Sequence, residues 1–415
     1  MNSEQLFCTA LGLCSPWFVS HVELEDASVS GSGELHIHLD FERGAKFVNS
    51  RGHLCPVHDT VERQWQHLNF FQHTCYLHAR VPRLRDPENG KVEVAGVPWS
   101  RLESSFTLLF EAFAMSLIEH GMAVNRVAAT LNIQAHRIWR FFHFYVKRAV
   151  QADDLSQVQA VGVDETSVAK GHRYLTVVMD LPAKRTIYVT LGRDAYTLER
   201  FVQELKRKGG CQENIAWASI DMSPAFIRGV QEHLPQAQIV FDKFHLMKKV
   251  NEAIDATRRQ ERKEHQSPRG DLLKGHRYTF LKNKNNLSGK KQQQRGQLLE
   301  MFPLLGEAYS LRETLQLIWE MSDPAAAIEK LELWCQSAAD SPVPALQGVA
   351  RTFRAHWAGI VSYFENKITN AILENTNLKI QDAKRRARGY RNPDNFINMI
   401  YFLTAKLDFY PLQTS

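Results

Sequence analysis

Residues 160–191 read AVGVDETSVAKGHRYLTVVMDLPAKRTIYVTL, and the fold of this 415-residue chain turns on how that stretch divides. Ala160-Val161-Gly162-Val163 is an apolar run that reads as a buried strand ending in Asp164. Residues 174–179 and 186–191 are two β-branched runs joined by a turn over 180–185, in which Asp180 is a turn residue. Hairpin connections this short make the three strands antiparallel. Downstream the texture changes. Residues 197–208 carry Leu198, Phe201, Val202 and Leu205 on one helical face, with Thr197 as N-cap. Residues 215–220 form a buried strand ending in Asp221. A second helix starts at Pro224, a residue suited to a first helical turn. Residues 238–241 are one more short strand, and strands separated by helices pair in parallel.

The order strand, strand, strand, helix, strand, helix, strand predicts a mixed sheet of RNase H-like topology. A doubly wound sheet would need helices after the first and second strands, and there is no room for them. In this order the first and fourth strands are neighbours, so Asp164 and Asp221 come within reach of one divalent ion. Two acids that close repel unless a cation neutralises them, and hard oxygen ligands suit Mg²⁺ or Mn²⁺. Paired ions would clamp the attacking and leaving oxygens of a phosphoryl displacement. Either Asp alone reads as a turn former or N-cap; the pair at matched strand ends favours chemistry. A third ligand is required, and Glu374, in the run TNAILENTNLK (369–379), is the candidate, with Asn377 on the same helical face. Spacing alone cannot bring Glu374 to the aspartates. Glu165 should point to the opposite face of the strand from Asp164 and is given no metal.

The flanking regions differ in texture. Residues 17–24 and 35–41 alternate like a hairpin around the turn-forming run 28–33. His53-Leu54-Cys55-Pro56-Val57-His58 has the Cys-x-x-His spacing of half a zinc site, and a second pair, Cys75 and His78, lies inside an extended run. From residue 101 the pattern turns helical, with Phe106, Leu109, Phe110 and Phe113 at helical spacing. Residues 123–131, 132–133 and 134–142 read as helix, turn and helix. Ile138, Phe141 and Phe142 would face the core there, leaving Gln134, His136, Arg137 and Arg140 for a major groove; an ordinary helical hairpin is the alternative.

Charge is segregated. Lys/Arg number 51 and Asp/Glu 45, a net +6, yet residues 241–300 hold 15 cations against 7 anions and residues 379–391 hold 6 against 1. Residues 301–345 reverse this, 2 against 7. Two separate basic runs point to polyanion contact rather than merely a solvated helix face. A 44% hydrophobic composition excludes disorder of the whole chain. With no apolar run of about 18 residues, no signal-peptide pattern and only six cysteines, no membrane association and a cytoplasmic setting are expected.

Taken together, residues 161–165 (VGVDE), 219–223 (SIDMS), 241–245 (FDKFH), Thr369-Asn370-Ala371 through Glu374, Lys379 and 384–390 (KRRARGY) resemble the DDE transposases of the bacterial insertion-sequence family called ISL-three, over nearly the whole chain. The resemblance implies that Asp164, Asp221 and Glu374 are the catalytic and metal-binding triad, and that Lys379, Lys384, Arg385, Arg386 and Arg388 contact DNA. It makes Asp242 and His245 a D-x-x-H element that, with Asn377, forms a secondary site. It further implies a multidomain α+β protein: a β-rich zinc-finger-like domain (1–100), a helix-turn-helix (101–150), an RNase H-like core (151–246 and 365–415) and an α-helical insertion (247–364). Similar transposases carry a second Cys/His pair where this chain has Asp86-Pro87-Glu88-Asn89. Two readings follow: Zn²⁺ on Cys55, His58 and Asp86, or a metal-free remnant held by Trp65, Phe70 and Phe71. The expected activity is cleavage and joining of DNA at terminal inverted repeats, by a dimer or larger assembly. A DNA-binding regulator with an inert core and a nuclease that never joins are the rivals.

Overall fold

The computed structural model describes residues 2–25, 33–169, 173–265, 267–283, 286–366 and 371–410. The chain divides into two compact units, Met1–Gln151 with Ala383–Arg388 and Leu407–Ser415, and Ala152–Asp382 with Gly389–Lys406.

The first unit opens with helix α1 (Ser3–Ala10), whose N-terminus is closed by the Asn2 side chain accepting from the Gln5 amide. Strands β1 (Trp17–Glu25), β2 (Glu34–Phe41), β3 (Lys46–Val48), β4 (Leu54–Phe70), β5 (His73–Arg85) and β6 (Val92–Val94) follow. They form one mixed sheet in the order β1-β2-β5-β4-β3, with β6 beside β5. The β1–β2 pair is antiparallel, as the alternation required, although its connecting run lies outside the described residues. Alternation decides the two faces. Leu35, Ile37 and Leu39 of β2 and Cys75, Leu77, Ala79 and Val81 of β5 are buried, and Trp17, Trp65 and Trp99 meet edge to face above them. Trp65 therefore holds this sheet, but Phe71 does not: it sits at positive φ in the β4–β5 turn and is 81% exposed.

Three helices complete the unit: α2 (Leu108–Glu119), α3 (Val124–Thr130) and α4 (Ala135–Ala152). Thr107 caps α2, its hydroxyl accepting from the Phe110 amide. His67 of β4 bonds the same hydroxyl at 2.9 Å, and burial pushes its pKa down to about 4. The unfolded chain takes up that proton near pH 6.5, so the stabilisation is complete above pH 6.5 and drains away as the pH falls toward 4, by up to about 3 kcal/mol. Thermal unfolding of this unit should weaken over that window, and His67→Gln should flatten the dependence; an equal slope in the variant would refute the assignment.

The second unit contains β7 (Ala160–Ala169), β8 (Arg173–Asp180), β9 (Arg185–Leu191), α5 (Tyr196–Arg207), β10 (Trp217–Ile220), α6 (Pro224–His233) and β11 (Gln238–Phe241). The sheet order is β11-β10-β7-β8-β9. β7–β8 and β8–β9 are antiparallel, β10–β7 and β10–β11 parallel. One expectation needs correcting. β7 does not stop at Asp164 but runs on to Ala169, because β8 keeps pairing with it from Asp164↔Val177 to Ala169↔Arg173. What ends near Asp164 is the parallel partner β10, whose last paired residue on β7 is Gly162.

Helices then follow: α7 (Lys243–Glu264), α8 (Arg277–Leu281), α9 (Gly289–Met301), α10 (Pro303–Glu320), α11 (Pro324–Asp340), α12 (Pro344–Ala355) and α13 (Trp357–Asn366). Proline opens α6, α10, α11 and α12, where its missing N–H costs no helical bond. Leu246, Val250, Leu315, Leu331, Phe353 and Ile360 continue the core built by Val161, Val163 and Phe241 of the sheet. The chain next forms α14 (Ala371–Arg386), and a helix not anticipated from sequence, α15 (Pro393–Thr404), packs on β9. The Tyr401 hydroxyl accepts from the Val189 amide at 2.9 Å, and Thr404 bonds Thr186 at 2.8 Å. No helix among the described residues is long and apolar enough to cross a membrane.

Candidate active site and DNA-binding surface

Helix α14 lies along β7 in matched register. Leu373 packs against Gly162, where an added Cβ would meet its side chain at 2.9 Å. Asn377 donates to the Asp164 carboxylate, and Gln381 donates to the Thr166 hydroxyl at 2.8 Å. Four helical residues rise about 6 Å and two strand residues about 6.6 Å, so positions 373, 377 and 381 track 162, 164 and 166. Gly162 is what lets the helix approach this closely. Glu374 lies one turn before Asn377 on the same helix and is exposed. Its negative charge reaches Lys243, the first residue of α7.

Asp221 follows β10 directly, and its carboxylate accepts from the Ser223 amide at 2.9 Å, a local turn that leads into α6. Ser219 pairs with Gly162. Asp221 stands two residues past that pair along its chain, as Asp164 does on β7. Asp164 also accepts from the Glu165 amide at 2.7 Å. Burial raises the Asp164 pKa above the usual carboxylate range, against the lowering effect of these bonds and of His245, and the Asp242 charge raises it further. Asp242 caps α7 through the Phe244 amide at 2.8 Å, and its other oxygen is 3.8 Å from His245 Nε2. Of the secondary residues, Asn377 thus contacts Asp164 directly, and the Asp242 and His245 charges reach it.

Glu165 adjoins Asp164 on β7. Its pKa is raised first by burial and then by the charges of Asp221 and Asp164, with Arg193 opposing at 3.9 Å. Arg193 in turn stacks on Tyr174 at 4.6 Å. The sequence held one signal, an acid adjoining Asp164, but nothing in it tied Arg193 to this place. Asp164 and Glu165 are both partly desolvated carboxylates, oxygen donors of the kind that suit a hard divalent ion, but among the described residues Asp164, Asp221 and Glu374 are not gathered into one ligand set.

The N-terminal zinc residues do not converge. Cys55 is buried on the inner face of β4, its thiol donating to the His53 carbonyl, while His58 is exposed. Three residues along a strand point to opposite faces, so the Cys-x-x-His spacing is not a knuckle here. Asp86 is buried and already accepts from the Asn49 side chain and from the Glu88 and Asn89 amides, closing the β5–β6 turn. Cys75 and His78 are separated in the same way, and burial pushes the Cys75 thiol up to about 12, far from the thiolate a zinc ion needs. These residues do not fit the proposed zinc site.

In the helix-turn-helix, Asn132 makes the turn at φ 51°, a left-handed conformation that Asn tolerates. Ile138, Phe141 and Phe142 are buried, as their spacing required, and the second helix runs on to Ala152. Gln134, His136 and Arg140 are exposed. Arg137 is half-buried: its guanidinium lies 4.2 Å over the Phe106 ring and donates to Ser105. Of α2, Phe110 is buried but Leu109 and Phe113 are exposed. On α14, Lys379 and Arg385 are exposed, as is Arg388 just beyond it; Lys384 is half-buried, and Arg386 donates to the Gly121 carbonyl, so it also serves as a tie within its own unit.

A helix-turn-helix beside exposed cations, and an acid cluster at the end of parallel strands, define a DNA-processing enzyme. Residues 161–400 match a family described as "Transposase", residues 97–146 the "helix-turn-helix domain of transposase family ISL3", and residues 54–85 the "zinc-finger of transposase IS204/IS1001/IS1096/IS1165". The chain is 29% identical to the transposase for insertion sequence element IS1001 of Bordetella parapertussis, over 82% of this chain and 84% of that protein. It is 28% identical to the transposase for insertion sequence element IS1557 of Mycobacterium tuberculosis, over 98% of this chain and 96% of that protein. The chain belongs to the ISL3 family of insertion-sequence transposases.

Proposed function

We propose that this transposase binds the terminal inverted repeats of its own element, cuts the DNA there and joins the freed 3′ ends to target DNA, with Asp164, Asp221 and Glu374 as the catalytic carboxylates. The observation that carries this reading is the register of α14 on β7, with Asn377 on Asp164 and Glu374 one turn before it. We read residues 151–246 and 365–415 as an RNase H-like core, with residues 247–364 as a helical insertion. Residues 1–100 form the β-rich module and 101–150 the helix-turn-helix.

The chemistry is two successive phosphodiester displacements. Water attacks at the element end and releases a 3′ hydroxyl; that hydroxyl then attacks a target phosphodiester, one P–O bond forming as another breaks. Asp164, Asp221 and Glu374 would hold Mg²⁺ or Mn²⁺, which when bound polarises the phosphate and acidifies the attacking hydroxyl. Asn377 and the Glu165 amide fix both oxygens of Asp164, so its carboxylate is pre-oriented. Asp242 holds His245 beside it. No step depends on zinc. Two ends must be held together, so a dimer or larger assembly acts on DNA, in the bacterial cytoplasm.

Gln134, His136 and Arg140 read the groove, while Lys379, Lys384, Arg385 and Arg388 contact phosphates. Arg140→Ala should weaken end binding about tenfold and relax sequence preference at one base pair, the size of a lost base contact. Arg137→Ala should instead lower the stability of the first unit. Titration against element ends and scrambled competitor separates the two effects, and unchanged discrimination in Arg140→Ala would remove that residue from readout.

The deciding experiment incubates purified protein with labelled element ends, Mg²⁺ and target DNA. Joined product supports the transposase reading. Binding without nicking would support an inert regulator, and nicking without joining a nuclease.

A further inference from the structure

A row of histidines crosses the sheet of the first unit. Trp17 and Val19 of β1 face the core, so strict alternation would turn His21 inward as well. Instead the pairing of β1 with β2 shifts between Val19 and His21. Ser20 is the extra residue of this bulge, and its hydroxyl donates to the His38 carbonyl at 3.1 Å. The bulge re-aims His21 to the outer face, opposite His38 of β2, and His38 pairs in turn with His78 of β5. The three rings stack across three strands, His21 on His38 at 3.9 Å and His38 on His78 at 4.7 Å. A fourth imidazole, His36, meets His78 ring nitrogen to ring nitrogen at 2.8 Å.

Glu23 lies two residues beyond His21 on the same face. One donor atom from each of His21, Glu23 and His38 lies within 4.8 Å of the others. The chemistry narrows the occupant. Ring packing alone would be served by any aromatic side chains and needs no carboxylate among them. A DNA phosphate would be repelled, since the Glu23 and Glu62 charges both reach His38. Two imidazoles and one carboxylate suit a borderline transition ion, whereas Mg²⁺ and Ca²⁺ take oxygen ligands. Donors about 2.0–2.1 Å from a tetrahedral ion stand about 3.4 Å apart, a spacing that rotation of the exposed His21 and Glu23 side chains can reach.

We propose that His21, Glu23 and His38 bind one divalent transition ion, Zn²⁺ foremost, on the outer face of this sheet, with a fourth position left to water. All three precede residues 54–85, the segment that matches a zinc-finger family. Within that segment Cys55 is buried on the inner face and His58 is exposed, so the ion sits on other residues and uses no cysteine. His78, stacked on His38 and tied to His36, is a positioning residue that holds the His38 ring. Because β1 is an edge strand of the sheet, the ion would pin that edge to β2.

The test uses untagged full-length protein, stripped with a chelator and titrated with Zn²⁺ by calorimetry in excess Mg²⁺, which occupies all-carboxylate sites. One equivalent should bind. It should raise the unfolding temperature of the first unit by about 5–10 °C when Zn²⁺ stands about a hundredfold above Kd. X-ray absorption at the zinc edge should show imidazole nitrogen and oxygen at about 2.0–2.2 Å and no sulfur near 2.3 Å. His21→Ala and His38→Ala should each weaken binding at least about a hundredfold and His78→Ala about tenfold, while Cys55→Ser and His58→Ala stay within about twofold. Unfolding temperatures in chelator within about 2 °C of wild type separate a lost ligand from a lost fold. Should a histidine variant fall below that, Glu23→Gln at the exposed edge carries the test, with an expected loss of at least about tenfold. A wild type that binds no Zn²⁺ under these conditions, sulfur in the zinc shell, or undiminished affinity in His38→Ala would each overturn the proposal.

Discussion

Glu374→Gln will lower strand cleavage by at least about a thousandfold, with end binding unchanged within about twofold, because a lost metal-ligating charge removes several kcal/mol of transition-state stabilisation. Asp164→Asn and Asp221→Asn should do the same, but they are less clean. Asp164 takes Asn377 and the Glu165 amide on its two oxygens. An Asn there either turns its amide toward the Asn377 donor or turns it toward the backbone N–H, and one bond is lost either way. Asp221 accepts the Ser223 amide that begins the turn into α6, so its loss also loosens a helix start. Glu374 is exposed, so its replacement changes charge and little else. The measurement is single-turnover cleavage of end-labelled repeats, with gel-shift titration of the same DNA. Retained cleavage in Glu374→Gln would remove that residue from the triad, and Glu165, the other acid that feels Asp221, becomes the next to test.

The sheet of the second unit was legible because its connections are so unequal. Two short hairpins and two helical crossovers leave few ways to order five strands, and the order found is the one they require. The placing of Asp164 and Asp221 on neighbouring strands followed from topology. The packing of α14 on β7 did not, since more than a hundred residues separate α14 from the sheet in sequence, and only the Gly162–Leu373 contact and the Asn377 bond reveal it. What misled the sequence reading was local spacing taken without its element. Cys55 and His58 resemble a metal knuckle until β4 proves to be a 17-residue strand that turns them apart. Arg137 was counted as a groove residue from helix phase, but Phe106, which precedes α2, captures it. In each case the competing partner comes from another element, which a period of 2 or 3.6 cannot show.

The same kind of distant partner makes Glu111 the residue on which the helix-turn-helix depends most. Its carboxylate is fully buried in α2 and accepts from Ser104 at 2.7 Å, from Arg101 at 3.1 Å and from the Tyr145 hydroxyl at 2.5 Å. Three segments meet on one charge: the turn before α2, α2 itself and α4, which carries Gln134's neighbours His136 and Arg140. Burial and Glu111 together push the Tyr145 pKa up, so its hydroxyl stays a donor. Removing the carboxylate strands a guanidinium and two hydroxyls, and breaking such a buried pair costs about 3–5 kcal/mol. Glu111→Ala should therefore unfold the first unit at a markedly lower denaturant concentration and abolish end binding at 37 °C. Glu111→Gln keeps one acceptor oxygen, so one hydroxyl loses its acceptor along with the charge opposite Arg101; it should still cost less than the alanine, about 2 kcal/mol, and Tyr145→Phe, which loses one bond, about 1 kcal/mol. The order of the three variants in chemical denaturation is the test. A Glu111→Ala protein within 1 kcal/mol of wild type would mean that the apolar contacts of Ile138, Phe141 and Phe142 alone hold α4 against α2, and that the charge is incidental.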